Sequence, residues 1–128
     1  MTESPVAITS FGYLHGPAPT AHITIDLRHH FRDPHVSPEM RTLTAHDHTV
    51  QAAVLATPGI HELLQALADT IHAYRLGPSP APLTISTGCA GGRHRAAVVA
   101  AELQLRLTAD GIDSTLTHRD LDKPVVER

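Results

Sequence analysis

The feature that most restricts the fold is a predicted strand that leads through a glycine-rich loop into a predicted helix. The segment LTIST (83–87) is short and apolar, the loop GCAGGRHR follows, and an alanine-rich pattern predicts a helix from about residue 92 to 110. IDSTLTHR (112–119) predicts another strand after Gly111, which suits the end of that helix. A strand–helix–strand unit joins parallel strands through a right-handed crossover. We therefore expect an α/β fold whose mixed sheet contains this βαβ unit.

Two further strands are predicted in the first quarter of the chain. VAITSFGY (6–13) is rich in residues that favour strands, and HITIDLR (22–28) alternates apolar with polar residues. The segment 29–41 carries two prolines and mixed charge, which is typical of a structured loop. A chain of 128 residues fits one domain, so we expect a single domain over 1–128.

Two helices are predicted between these strands and the glycine-rich loop. HDHTVQAAVLA (46–56) suits a short helix that Asp47 caps. The segment 57–77 has an apolar stripe at helical spacing, with Thr57 in a favourable capping position and Pro58 at the first helical position. This amphipathic pattern is the clearest helix signal in the sequence.

The glycine-rich loop has the composition of an anion site. Glycine at 88, 91 and 92 lets the backbone turn sharply, and the N–H groups at the start of a helix attract negative charge. Arg93, His94 and Arg95 add positive potential, and arginine can hold phosphate through two parallel hydrogen bonds. We predict that the loop amides and Arg95 hold a phosphate group. The loop does not match the Walker A pattern, so ATP hydrolysis by that mechanism is not supported.

Cys89 lies in the same loop, at a spacing from Arg95 that resembles the signature of cysteine-dependent phosphatases. A thiol near a helix N-terminus and cations has a lowered pKa, as that chemistry requires. However, Gly88 and Ala96 stand where those phosphatases carry a histidine and a hydroxyl. We interpret Cys89 as a small packing residue and expect no enzymatic activity, with a phosphatase as an alternative.

The composition excludes several other classes of function. The formal net charge of −3 and an aromatic content of 3% favour neither nucleic-acid nor membrane binding across the whole surface. A single cysteine and an N-terminus without a basic, apolar leader predict a cytoplasmic protein. Histidine is abundant, with eleven residues, but the pairs at 29–30 and 46–48 lack a second ligand pair at a known spacing. We therefore predict no metal site and no cofactor.

The loop GCAGGRHR is similar to a loop of the RapZ family, the bacterial RNase adaptor proteins, in their C-terminal domain. The segments SFGY, IDLRHHFRDPH, MRTLTAHD and LTHRDL fall in the order of that family, so the resemblance covers nearly the whole chain. It implies a fold related to a subdomain of phosphofructokinase. It also implies binding of a phosphorylated metabolite, since the best-known members sense glucosamine 6-phosphate and present a small RNA to a ribonuclease.

The resemblance and the loop chemistry together predict a sensor of a phosphorylated small molecule, a sugar phosphate or a nucleotide. Members usually carry an N-terminal nucleotide-binding half that is not part of this sequence, so we do not expect the role of that half here. An RNA-binding adaptor is the main alternative, and it requires a basic patch of Arg93, Arg106, Arg119 and Lys123. A protein partner and self-association stay open. The residues that we expect to bind the ligand are Asp26, Arg28, His35, Ala90, Gly91, Gly92, Arg93, His94, Arg95 and Arg119.

Overall fold

Four parallel strands form the sheet of residues 5–127, the part of the chain that the computed structural model describes. The order of the strands across the sheet is β2-β3-β1-β4. The strands are β1 (Val6–Gly12), β2 (Ile23–Asp26), β3 (Leu83–Cys89) and β4 (Ser114–His118). The helices are α1 (His48–Leu55), α2 (Ile60–Arg75) and α3 (Arg95–Ala109), and 3-10 turns form at Tyr13–His15 and Pro34–Val36.

The α/β class and the βαβ unit are confirmed, but the sheet is parallel throughout rather than mixed. The pairs β1–β3, β1–β4 and β2–β3 are all parallel. Each connection between successive strands is a helix-containing crossover or a loop of ten or so residues, and neither makes the tight hairpin that joins antiparallel neighbours. Strands β3 and β4 are parallel as predicted, and β1 lies between them.

The two faces of the sheet have opposite chemistry. Ile8 and Ile85 are paired across β1 and β3, and both are buried in the core with apolar residues of α2 and α3. The residues one position further along each strand point to the other face and carry hydroxyl groups. They form a row across all four strands, made by Thr24, Ser86, Thr9 and Thr117. The two end members of this row are exposed. The helices therefore supply an apolar cover for one face, and the other face remains polar.

The helix ends differ from the predicted ones for reasons that the hydrogen bonds explain. Helix α2 begins at Ile60, because the Thr57 hydroxyl donates to the Ala53 carbonyl at 2.9 Å and leaves Gly59 in the capping position. Helix α1 does follow Asp47, but that carboxylate accepts from the Thr44 N–H at 2.9 Å and does not cap the helix.

Helix α3 begins at Arg95, three residues later than predicted. Gly92 adopts a left-handed φ of +76°, and a helix cannot run through such a residue. The whole loop therefore stays outside the helix, and its backbone lies against the end of β1. No helix within residues 5–127 is both long enough and apolar enough to cross a membrane.

The end of β1 touches the glycine-rich loop backbone to backbone. A Cβ atom on Gly12 would lie 2.3 Å from the carbonyl carbon of Gly91, which is far inside van der Waals contact. Only glycine at position 12 leaves room for the loop in its present position. This contact makes the loop and β1 one rigid unit.

Replacing Gly12 with alanine should therefore lower the free energy of unfolding by about 2–3 kcal/mol, as overpacking at a backbone contact does. Urea unfolding followed by circular dichroism measures this change. Gly77→Ala is the control, because its new Cβ would meet a single backbone oxygen, that of Tyr74, at 3.2 Å. Equal stability of the two variants would show that the loop moves without cost.

Candidate anion site at the glycine-rich loop

The glycine-rich loop lies at the carboxyl edge of the parallel sheet, where α/β folds bind their ligands. Three backbone bonds hold it there. The Leu14 N–H donates to the Ala90 carbonyl at 3.0 Å, the Leu27 N–H to Gly88 at 2.7 Å, and the Ala45 N–H to Arg93 at 2.8 Å. These donors come from the segments after β1, after β2 and before α1. The loop is therefore the place where three connections of the fold meet.

Arg95 is buried beneath this edge, with 2% of its surface exposed. Its Nη1 donates to the carbonyls of Leu27, Arg28 and Phe31 at 2.8, 3.0 and 3.1 Å. Its Nη2 lies 3.1 Å from the carboxylate of Asp33. Both Nη atoms of the guanidinium that we expected to grip a phosphate are thus bound by the protein itself, and Nε is buried without a hydrogen-bond partner among the described residues.

His94 is also buried and bound to backbone, with 3% of its surface exposed. Its Nε2 lies 2.9 Å from the Met40 carbonyl and 2.8 Å from the Leu43 carbonyl, so this nitrogen carries the proton and donates it. Burial lowers the pKa of the imidazole, which keeps it neutral and leaves Nδ1 as an acceptor. His94 therefore fixes the segment before α1 against the loop.

Cys89 contacts the start of α3 through its sulfur. The Sγ atom accepts from the Gly92 N–H at 3.3 Å and from the Ala96 N–H at 3.4 Å. These bonds suit a thiol at a helix N-terminus, as in the phosphatase alternative. However, the partner that this chemistry needs, Arg95, donates to backbone carbonyls on the other side. The arrangement does not favour the phosphatase alternative, and our interpretation of Cys89 as a packing residue stays a prediction.

A small cavity of about 10 Å³ opens beside the loop, with room for about one water molecule. It brings together four of the residues that we predicted to bind the ligand, and they are His35, Gly91, Arg93 and His94. Asp33, Cys89, Val125 and Val126 complete its lining. The other predicted residues, Asp26, Arg28, Ala90, Gly92, Arg95 and Arg119, are not part of this lining.

Arg93 also bonds to the backbone on either side of the cavity. Its Nη1 donates to the Lys123 carbonyl at 2.9 Å and its Nη2 to the Thr42 carbonyl at 3.2 Å. A phosphate group is larger than one water molecule, so the cavity would have to widen to admit one.

Asp120 is a residue of this edge that the sequence analysis did not assign to the site. Its carboxylate is fully buried, accepts from the Gly12 N–H at 2.7 Å, and pairs with Arg119 at 2.8 Å and Lys123 at 2.7 Å. Burial alone would raise its pKa, but the hydrogen bonds from Arg119, Gly12 and Lys123 outweigh burial and lower the pKa to about 2. Asp120 therefore fixes the end of β1, and with it the position of the loop.

Arg119 lies around the turn after β1. Besides Asp120, it donates to the Pro17 carbonyl at 2.6 Å and to the carbonyls of Gly12 and Gly16 at 3.3 Å each. These bonds explain its position without a ligand.

Asp26 and Arg28 form an ion pair at 2.7 Å rather than two separate ligand groups. The hydrogen bonds from Arg28 lower the pKa of Asp26 to about 2. The guanidinium of Arg28 also lies 3.6 Å from the centre of the Tyr13 ring. Tyr13 was not predicted as a site residue, and no local pattern in the sequence connects it with position 28.

His35 lies on the 3-10 turn Pro34–Val36. Its N–H donates to the Asp33 carboxylate at 2.9 Å, and its carbonyl accepts from Arg41 at 2.8 Å. Both bonds hold the turn, so the His35 side chain is presented to the cavity from an ordered backbone.

The histidine pairs do not converge on one another. His46 lies 3.5 Å from Asp122. Within residues 5–127 there is no group of three or more histidine, cysteine, aspartate or glutamate side chains that could hold a metal ion.

Replacing Arg95 with alanine should lower the free energy of unfolding by about 3–5 kcal/mol, because it leaves Asp33 unpaired and three carbonyls without a donor. Guanidinium unfolding measures the change. Arg32→Ala is the matched control, since Arg32 is an exposed arginine of the same connection. If Arg95→Ala is as stable as Arg32→Ala, Arg95 does not support the fold.

Asp120→Asn should remove about 2 kcal/mol of stability at neutral pH, the amount that its lowered pKa represents. A carboxylate whose pKa is lower in the folded protein than in the unfolded chain stabilises the fold at pH values above its ordinary pKa of 3.8. This contribution to stability is lost as the pH falls toward about 2. The difference between wild type and variant should therefore shrink between about pH 4 and pH 2.

Urea unfolding at several pH values measures this difference. Asp113→Asn is the control, because Asp113 is exposed. A wild-type-to-variant difference that stays constant down to pH 2 would contradict the assignment of the low pKa to Asp120.

Comparison with known proteins places this architecture in a family. Residues 4–122 match the family described as the RapZ C-terminal domain. A "Nucleotide-binding protein" of Thermobifida fusca is 34% identical over 119 residues, which cover 91% of this chain and 40% of the relative. Proteins named in the same way from Streptomyces coelicolor and Frankia alni are 31% and 36% identical, over 94% and 91% of this chain and 41% of each relative.

The chain thus spans about two fifths of the length of these relatives, and within that part the similarity runs nearly from end to end. The glycine-rich loop, the parallel sheet and every residue of the cavity lining except Val125 and Val126 lie inside the matched residues. The chain belongs to the RapZ C-terminal domain family.

Proposed function

We propose that this domain binds a phosphorylated small molecule, a nucleotide or a sugar phosphate, in the cavity beside the glycine-rich loop. The observation that carries the proposal is the convergence of His35, Arg93 and the backbone of Gly91 on one cavity at the carboxyl edge of the sheet. Two cationic or polar side chains and a loop that opens a helix suit a phosphate group. The name of the relatives, "Nucleotide-binding protein", agrees with this class of ligand.

The residues around the cavity divide into two groups in this proposal. The amides of the loop, Arg93 and His35 contact the phosphate, while Arg95 and His94 hold the connections that form the wall. This division follows from burial, because Arg95 and His94 are 2% and 3% exposed and are bonded to backbone. The Gly92 N–H already donates to Cys89, so the amides of Gly91 and Arg93, which line the cavity, are the better donors to a ligand.

Binding in this cavity changes the protein, and such a change is what a sensor needs. The ligand can enter only when Val125 and Val126 leave the cavity, and Arg93 then exchanges the Lys123 carbonyl for the phosphate. A ligand that binds the open form better than the closed form shifts the equilibrium toward the open form. We infer that the position of the segment 123–126 reports the presence of the ligand to a partner.

The RNA-binding alternative has less support from the arrangement of the basic residues. Arg119 and Lys123 both pair with Asp120, and Arg93 donates to the backbone. Arg106 contacts His61 and lies eleven residues into α3 from Arg95, about 16 Å from the loop along the helix axis. Arg106 is therefore apart from the other three residues, and Asp120 offsets part of the positive charge of Arg119 and Lys123.

His35→Ala should weaken the binding of both glucosamine 6-phosphate and AMP about tenfold, the loss of one charge-assisted or polar contact to phosphate. Isothermal titration calorimetry with each compound measures the affinities. His30→Ala is the matched control, because His30 is exposed on the same connection and does not line the cavity. Unchanged affinity of His35→Ala for both compounds would rule out this cavity as the phosphate site.

A further inference from the structure

A second feature at the same edge of the sheet is a stack of planar groups formed by Phe11, Tyr13 and Arg28. We propose that this stack is a platform for the nucleobase of a nucleotide whose phosphate binds at the loop. The inference rests on the proposed function and makes it more specific, because it selects nucleotides over sugar phosphates as the ligand class.

The guanidinium of Arg28 is held as a fixed plane. Its Nη2 and Nε donate to the carboxylate of Asp26 at 2.7 and 3.0 Å, and its centre lies 3.6 Å from the centre of the Tyr13 ring. Its backbone is fixed as well, because the Arg28 N–H donates to Asp26 at 2.9 Å and the Arg28 carbonyl accepts from Arg95 at 3.0 Å. A group that is already ordered loses little conformational entropy when a ligand stacks on it.

The stack is supported from within the protein. The rings of Phe11 and Tyr13 meet edge to face, with centroids 4.7 Å apart. Gly88 leaves the space for them, since a Cβ at this position would lie 2.3 Å from Phe11 and 2.7 Å from Tyr13. Phe11 is fully buried and the side chain of Arg28 is 36% exposed. The stack thus extends from Phe11 in the core to the guanidinium of Arg28, which is in contact with solvent.

An exposed, immobilised guanidinium plane is a good surface for a nucleobase. Arginine stacks on π systems because its planar cation is weakly hydrated, and proteins use such planes and aromatic rings to hold unstacked bases. Here Asp26 extends the plane to one side, and its carboxylate is 38% exposed. The pair of Arg28 and Asp26 also differs from an isolated surface ion pair, because the Tyr13 ring packs against the guanidinium and Gly88 makes room for that ring.

The platform lies next to the phosphate loop. Leu14, which follows Tyr13, donates to the Ala90 carbonyl at 3.0 Å. Leu27, which precedes Arg28, donates to the Gly88 carbonyl at 2.7 Å. Tyr13 and Arg28 are thus each one residue from a backbone bond to the loop or to the end of β3. One nucleotide could therefore place its phosphate at the loop and its base on Arg28.

The experiment compares AMP with ribose 5-phosphate, which carries the same phosphate and sugar but no base. Calorimetry measures the binding of both compounds to wild type and to two variants. Arg28→Lys keeps the positive charge and loses the planar guanidinium, and Arg32→Lys is the matched control on the same connection. We expect wild type to bind AMP about tenfold more tightly than ribose 5-phosphate, the contribution of one stacked base. Arg28→Lys should lose this preference and bind ribose 5-phosphate as wild type does, whereas Arg32→Lys should behave as wild type toward both.

Tyr13→Leu is the second variant, because it removes the ring behind the guanidinium and leaves the charged pair intact. It should also lower the preference for AMP, with unchanged affinity for ribose 5-phosphate. Thermal unfolding of each variant shows whether the fold is retained. Equal affinity of wild type for the two compounds, or an unchanged preference in both variants, overturns the platform and leaves the proposed phosphate site standing.

Failure of the proposed function gives a different result, in which wild type binds neither ribose 5-phosphate nor glucosamine 6-phosphate. Single-stranded oligoadenylate is then titrated into wild type and Arg28→Lys. Binding that is weakened in Arg28→Lys overturns the platform as part of a small-nucleotide site and shows instead that Arg28 contacts a base of RNA. Binding that is equal in the two proteins, or no binding, overturns base stacking on Arg28 altogether.

Discussion

The buried guanidinium of Arg95 is the interaction on which the edge of this fold depends. One side chain from the start of α3 satisfies the carbonyls of Leu27, Arg28 and Phe31 and neutralises Asp33. Without it the connection after β2 would have one buried and two partly buried carbonyls and one carboxylate to satisfy in some other way, and such groups are costly to leave unpaired. Asp33 and His35 of the cavity lining and Arg28 of the proposed platform belong to this connection.

A second buried charged group, Asp120, holds the loop in place from the side of β1. Asp120 binds the N–H of Gly12, and Gly12 in turn lies directly against Gly91. The loop is therefore placed between a buried cation that comes from its own helix and a buried anion that comes from the end of β4. Because both charges are neutralised by close partners, the loop itself is left with backbone groups and Arg93 to offer to a ligand.

Much of the fold could be predicted from the sequence, because strands and helices follow from local patterns of apolar residues. The four strands, the amphipathic helix and the glycine-rich loop lie where those patterns place them.

Local patterns cannot predict which partner a charged side chain binds. The three glycines near Arg95 suggest that its guanidinium binds a ligand. The structure shows that the guanidinium donates instead to backbone carbonyls of residues more than sixty positions away. The same holds for the contact of Arg28 with Tyr13, and for Asp120, whose partner Gly12 is 108 positions away. The long connections in the sequence already excluded tight hairpins between successive strands, but they did not fix the orientation of the strands.

The small size of the cavity has a kinetic consequence for the proposed function. The cavity has room for about one water molecule, so a phosphate group can enter only when the lining moves. If the proposed binding takes place, association is limited by how often the lining opens rather than by how often the ligand arrives. At high ligand concentration the observed rate should then reach a plateau equal to the opening rate, well below the rate of diffusional encounter. Arg93 lines the cavity and donates to the Lys123 carbonyl, so the strength of this bond would contribute to a response time as well as to an affinity.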